Sequence, residues 1–170
     1  MLKMKLMISA ILAVVLACGC GYKLSGAESA LPSGVKTIAI VPFENRTLEP
    51  DLGTVMAEAM QREVLRRGVV KLAPAGRADT VFRGRVDKVK LEPQAYDREG
   101  LTTAYRARIE VSARLVRGGE TIWSLKKLVE EEEIAVGAHI PDNYVRRAQA
   151  LKAIAEDAAE QLHTMMIEGW

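Results

Sequence analysis

An α+β domain, with two amphipathic helices packed on one face of a mixed, mostly antiparallel sheet of about four strands, is the fold this sequence predicts. Three observations carry that expectation. Residues 50–67 and 141–166 repeat apolar side chains at helical spacing. Thr103 to Arg117 alternates apolar with polar side chains and runs into Gly118-Gly119. The chain has 170 residues and no internal repeat, so one domain accounts for it.

The N-terminus is read first. Lys3 and Lys5 precede an uncharged apolar run from Leu6 to Ala17, which has the charge and length of a secretory leader. It is shorter than the roughly 20 residues that span a bilayer as a helix. No later segment is apolar for as long, so no transmembrane helix is expected in the mature chain. The only cysteines, Cys18 and Cys20, fall where small residues end the run. This arrangement resembles the bacterial lipobox, whose cysteine is acylated and becomes the new N-terminus. Gly19 favours Cys20; Val15, three places before Cys18, favours that alternative. Each buried acyl CH₂ contributes about 0.8 kcal/mol and a single chain holds only reversibly, so three chains on one cysteine anchor the protein durably. Gly21 stands where an Asp would resemble an inner-membrane retention signal, and the outer membrane is the expected destination. The expected organisation is a lipoprotein signal peptide over 1–19, a lipidated N-terminus and tether over 20–34, and a single α+β domain over 35–170.

Ile38 to Val41 is a continuous apolar run ended by Pro42, as a strand covered on both faces would be. Pro50 and Asp51 open a helix. Leu52, Val55, Met56, Ala59 and Met60 form its stripe, and Gly68 ends it. Val69–Leu72 offers a short second strand. Thr80 to Leu91 reads as a strand whose apolar parity shifts between Val81 and Val86, which predicts a bulge or face exchange near Gly84. Residues 93–100 read as a connection. In the strand from Thr103, Tyr105, Ala107, Ile109, Val111, Ala113 and Leu115 share one face; Arg106, Arg108, Glu110, Ser112 and Arg114 share the other. Thr121 to Ala135 returns as its hairpin partner. Pro141 and Asp142 open the last helix, striped by Val145, Ala148, Leu151, Ile154, Ala155, Ala158, Leu162 and Met166. Its abundant Ala favours helix and permits close packing.

Charge and composition exclude several functions. Lys and Arg number 24 against 22 Asp and Glu, but Lys3 and Lys5 belong to the leader. The remainder is neutral, which argues against a nucleic-acid binder. Aromatics are 5% of the chain, too few for a base-stacking platform. No His-x-x-x-His or Cys-x-x-Cys pair, G-x-S-x-G elbow or Gly-rich phosphate loop occurs. No metal, cofactor or catalytic residue is expected, and His139 and His163 read as solvated. Glu130, Glu131, Glu132 and Glu133 alternate across a strand and cannot surround one ion. Arg83, Arg85, Lys88 and Lys90 crowd one strand, Arg98 precedes Gly100, and Arg106, Arg108 and Arg114 line a wet face. They suit anionic phosphates or an ordinary solvated face; the residues leave both open.

Taken together, CGYKLSG from Cys20, LPSGVKTIAIVPFENRTLEPDL, MQREVLRRG, ADTVFRGRVDKV, AYRARIEVSARLV and the final DAAEQL resemble the lipopolysaccharide-assembly lipoprotein family, LptE. The resemblance covers essentially the whole mature chain. It implies a non-catalytic partner of the large outer-membrane β-barrel that delivers lipopolysaccharide to the cell surface. In that family the small lipoprotein plugs the barrel, supports its folding and contacts lipopolysaccharide. The family's basic residue in the turn before the long strand corresponds to Arg98. A second basic position near the last helix has no aligned counterpart, although Arg146 and Arg147 lie nearby. TIAIVPFENRT also resembles other envelope lipoproteins, of curli-type secretion channels or activators of peptidoglycan synthases, with different partners.

Overall fold

A computed structural model of the chain describes Leu31, residues 34–136 and residues 140–168, with side chains in the last segment from Asn143 onward. The leader, the tether up to Ala30, Cys18, Cys20 and His139 lie outside the described residues. The elements are β1 (Thr37–Ile40), β2 (Glu44–Asn45), α1 (Leu52–Arg67), β3 (Lys71–Leu72), β4 (Thr80–Tyr96), β5 (Thr102–Arg117), β6 (Glu120–Ala135) and α2 (Ile140–Glu168).

The sheet has six strands in the order β3-β1-β4-β5-β6, with β2 also paired to β4. β1 runs parallel to β3 and β4, and β2 runs parallel to β4; β4, β5 and β6 are antiparallel. The expectation of about four mostly antiparallel strands is corrected to a six-stranded mixed sheet. β2 and β3 have two residues each, too few to show any periodicity. Asp79 fastens this parallel corner. Its Oδ2 accepts from the backbone N–H groups of Lys36 and Thr37, both at 2.9 Å, and from the Thr37 hydroxyl. These donors hold its carboxyl below the usual range, the Lys36 N–H contributing most.

Both helices cover one sheet face. Leu52, Met56, Met60 and Val64 of α1 and Ile154, Ala158, Leu162 and Met166 of α2 are buried with Phe82, Val86, Ile109, Val111 and Leu115 of the sheet. Each large side chain so removed from water contributes about 1.5–3 kcal/mol. Asp51 caps α1 in a left-handed conformation, φ 58°, without a side-chain hydrogen bond; Pro50 therefore lies outside the helix. Gly68 closes it at φ 66°, donating to Val64 O at 3.0 Å.

β5 matches its alternation: Ala107, Ile109, Val111, Ala113 and Leu115 are buried. β4 corrects two expectations. Its pairing is regular through Gly84, and the bulge falls between Val86 and Lys88. Gly84 answers a packing demand, since a Cβ there would lie 2.1 Å from the Phe43 ring. Gly53 meets the same residue from α1, its would-be Cβ 2.2 Å from Phe43 O. The two glycines thus make the slot in which the Phe after Pro42 is seated. The expected connection over residues 93–100 is also shorter, because β4 continues to Tyr96. Beyond Val86, β4 has no partner on its outer side, so Pro93 leaves no ladder acceptor unmet there. The α2 stripe is corrected at its start: Val145 and Ala148 are exposed, because the helix is buried continuously only from Ala150 onward.

Candidate functional site

The helix-free face of β4, β5 and β6 gathers the basic residues that the sequence singled out. Arg106 pairs in register with Glu133, and Arg108 with Glu131. Glu131 lies 3.6 Å from Arg106 Nη1 and 3.1 Å from Arg108 Nε. The Arg108 Nε–H is not aligned for a hydrogen bond, so that contact is ionic only. Lys127 Nζ lies 3.1 Å from Glu110 and, as the largest influence, holds the Glu110 carboxyl below its ordinary range. The carboxylate run alternates as its period demands. Glu131 belongs to the wet face, whereas Glu130 opposes Ile109. Burial, with Asp157 of α2 adding repulsion, pushes the Glu130 carboxyl up, while Gln161 opposes the shift.

Arg98 occupies a different place, the turn joining β4 to β5. Asp97 Oδ1 accepts from Glu99 N at 3.0 Å and Leu101 N at 2.8 Å. Gly100 takes φ 82°, a conformation that favours glycine. The turn presents Arg98 in solvent between Tyr96, 61% exposed, and Leu101, 67% exposed. The structure therefore does not bring Arg98 together with Arg106 and Arg108 in one pocket: they belong to a tip and a sheet face. Of the two arginines near the start of α2, Arg147 is ion-paired to Glu49 and Arg146 is exposed.

A second polar cluster lies between the helices. Glu63, 8% exposed, accepts two 2.7 Å bonds from Arg66 and one from Arg67. Arg66 contributes most to lowering its pKa to about 2, against the opposing effect of burial. His163 is 3% exposed, which corrects the expectation of a solvated histidine. It occupies an inward position on α2 beside Ala159 and Leu162, and that spacing was the signal available in sequence. Burial holds its imidazole pKa down, with Glu63 acting in the opposite sense. Among the described residues no group of three or more His, Cys, Asp or Glu can hold a metal ion. Among them, too, no helix is long and apolar enough to cross a membrane.

A sheet face that carries ion pairs, with a solvated basic tip beyond it, has the means to bind polar or anionic partners by complementarity. The fold is shared with solved structures. Rare lipoprotein B from Shewanella oneidensis superposes with a TM-score of 0.53 at 16% identity, covering 77% of this chain and 93% of that one. The minor lipoprotein from Acinetobacter baumannii gives 0.51 at 16% identity, covering 81% and 95%. A subunit of the PelC dodecamer from Paraburkholderia phytofirmans also gives 0.51 at 16% identity, covering 80% and 90%. At these identities the likeness is one of fold. No curated protein matches the sequence. The family model for lipopolysaccharide assembly, LptE, matches residues 35–166, from before β1 into the last turn of α2. With its fold and nearly all its folded residues matched in this way, the chain belongs to the LptE lipopolysaccharide-assembly family.

Proposed function

We propose that this chain is a non-catalytic, lipid-anchored component of the lipopolysaccharide transport system. It plugs and supports the outer-membrane translocon barrel and helps to insert lipopolysaccharide at the cell surface. The observation that carries this reading is the family match over residues 35–166. Acylation falls on Cys20, with Cys18 the alternative, and the domain begins near residue 35. The helix-free sheet face supports the plug role. It is broad and polar, and Arg106, Arg108 and Lys127 on it are matched by Glu131 and Glu110. Such a face suits the polar interior of a barrel rather than lipid. Arg98 supports contact with the glycolipid, because its guanidinium is solvated and flanked by Tyr96 and Leu101. Arg106 and Arg108 contribute to anion contact only by sharing charge with Glu131.

The test is copurification. Pulling on the protein from detergent-solubilised outer membranes is expected to recover one large barrel in equal amount, and mass spectrometry to show three acyl chains on Cys20. A homo-oligomeric ring with no barrel would favour the other envelope assemblies, a reading to which the shared fold of the PelC dodecamer lends support. Recovery of an unacylated, freely soluble chain would refute the anchor.

A further inference from the structure

Two rows of the sheet set like charges against each other, Lys90 against Arg108, each with a carboxylate partner, and a second row without one. Arg83 of β4 and Arg114 of β5 are direct cross-strand partners, and Ser124 of β6 continues the row. Both arginines are exposed. Facing like charges destabilise a sheet. Several other basic residues of the long strands are matched: Arg85 by Asp87, Lys90 by Glu92, Arg106 and Arg108 by Glu131, and Lys127 by Glu110. Among the described residues neither Arg83 nor Arg114 has an ion pair or hydrogen bond.

The row borders a concavity of about 380 Å³ lined by Arg83, Arg85, Arg114, Ser112, Ser124 and Glu44, among others. The carboxylates of Glu44, which lines the hollow, and of Asp87, paired to Arg85 of its lining, are already engaged. Glu44 lies 2.7 Å from Arg46 Nε. Asp87 is bonded by Ser112 and Arg85, which bring its carboxyl below the ordinary range although burial alone would raise it. Two guanidinium charges therefore share one open hollow without a counter-ion.

We propose that Arg83 and Arg114 form a phosphomonoester site on the sheet face, with the Ser124 hydroxyl as a further donor. Charge selects this class. A phosphomonoester carries about −1.5 to −2 at neutral pH and offers three acceptor oxygens, so one group compensates both arginines. A carboxylate brings a single charge and two oxygens, and leaves one arginine uncompensated. The planar guanidinium fork is suited to phosphate oxygens. This site lies on β4 and β5 away from the turn that bears Arg98. It relies on the glycolipid reading only for the source of the phosphate.

The experiment titrates the full-length chain in detergent micelles with glucose 1-phosphate, following arginine Nε–H signals by NMR. Saturable shifts of Arg83 and Arg114 are expected, at least tenfold weaker binding in the R83Q/R114Q double variant, and no response to equimolar acetate. Absence of saturable shifts overturns the proposal; an equal response to acetate also overturns it and assigns the row to carboxylates. Intact and phosphatase-treated lipopolysaccharide form the second arm. A response to the intact form alone identifies a glycolipid phosphate; a response to glucose 1-phosphate but to neither lipopolysaccharide identifies a free phosphate ester, and either outcome supports the site. The double variant is expected to keep or raise the thermal midpoint, since repulsion is relieved; a lowered midpoint would make the pair structural and overturn the proposal. Barrel copurification with the double variant separates the two readings, because loss of phosphate binding with retained barrel leaves the transport role intact.

Discussion

The two ends of the long sheet are built differently. At the near end β4 has neighbours on both sides, β1 and β2 on one and β5 on the other. Phe43, Phe82 and Trp123 form an aromatic chain there, with ring centroids 5.9 Å and 6.2 Å apart. At the far end, beyond Val86, β4 has an open edge, and Ala95, Ala104 and Ala135 replace the large side chains in one row. The near end is closed by packing that spans α1 and the sheet, while the far end is left with charged pairs and a solvated tip. The contrast teaches that the aromatic packing and the Arg98 tip are drawn from opposite ends of the same strands. Contacts can therefore change at the tip without taxing the core.

That division can be broken most sharply at Phe82. Phe82→Ala is expected to cost about 3–5 kcal/mol, read as a fall in the urea midpoint. Gly84→Ala forces a methyl into the Phe43 ring and is expected to cost about 1–3 kcal/mol, measured in the same way. Glu63→Gln, between the helices, should cost roughly 2 kcal/mol at neutral pH, because two arginines lose a buried partner. Its pH dependence follows from the depressed pKa of about 2. The stabilisation is fully present above the ordinary carboxylate value of 4.5 and is lost as pH falls toward 2. The gap between wild type and variant is therefore expected to close over that window in urea titrations at successive pH values. At the far end, Glu131→Ala removes half-exposed pairs and is expected to cost under about 1 kcal/mol, an effect that high salt should erase. Arg98→Ala should leave the thermal midpoint within the scatter of about 0.5 kcal/mol typical of surface changes. It should nevertheless weaken lipopolysaccharide binding in a pull-down; unchanged binding would remove the tip from the contact surface.

The same division explains what was legible in the sequence. β5 was readable residue by residue, because one face is buried along its length and every second side chain reports it. β4 was harder. Gly84 carries the ordinary mark of a bulge, yet its cause is the Phe43 ring, a neighbour 41 places earlier in the chain. β2 is recognised only by its parallel partner, whereas β3 falls within the apolar segment Val69–Leu72 that reads as a short strand. The apolar phase of α2 extends through Val145 and Ala148 although the core does not reach them, so periodicity overstated the buried length. His163 shows the converse, a polar residue at a core position. For the candidate site, the alternation placed Arg106, Arg108 and Arg114 on one face. It did not show that Glu131 serves the first two and that Arg83 faces the third. Those matches depend on bulges between Val86 and Lys88 and between Val111 and Ala113, which shift register by amounts no local pattern encodes.

The opening turns of α2 have a consequence of their own. About ten residues, or roughly 15 Å of rod, precede the first position of continuous burial at Ala150. A strut between Arg147 and Glu49 braces this stretch. Dissolved ions weaken such a brace far more than they weaken apolar packing. Raising ionic strength should therefore loosen the first turns while the remainder holds, making the salinity of the surroundings a dial on one segment alone.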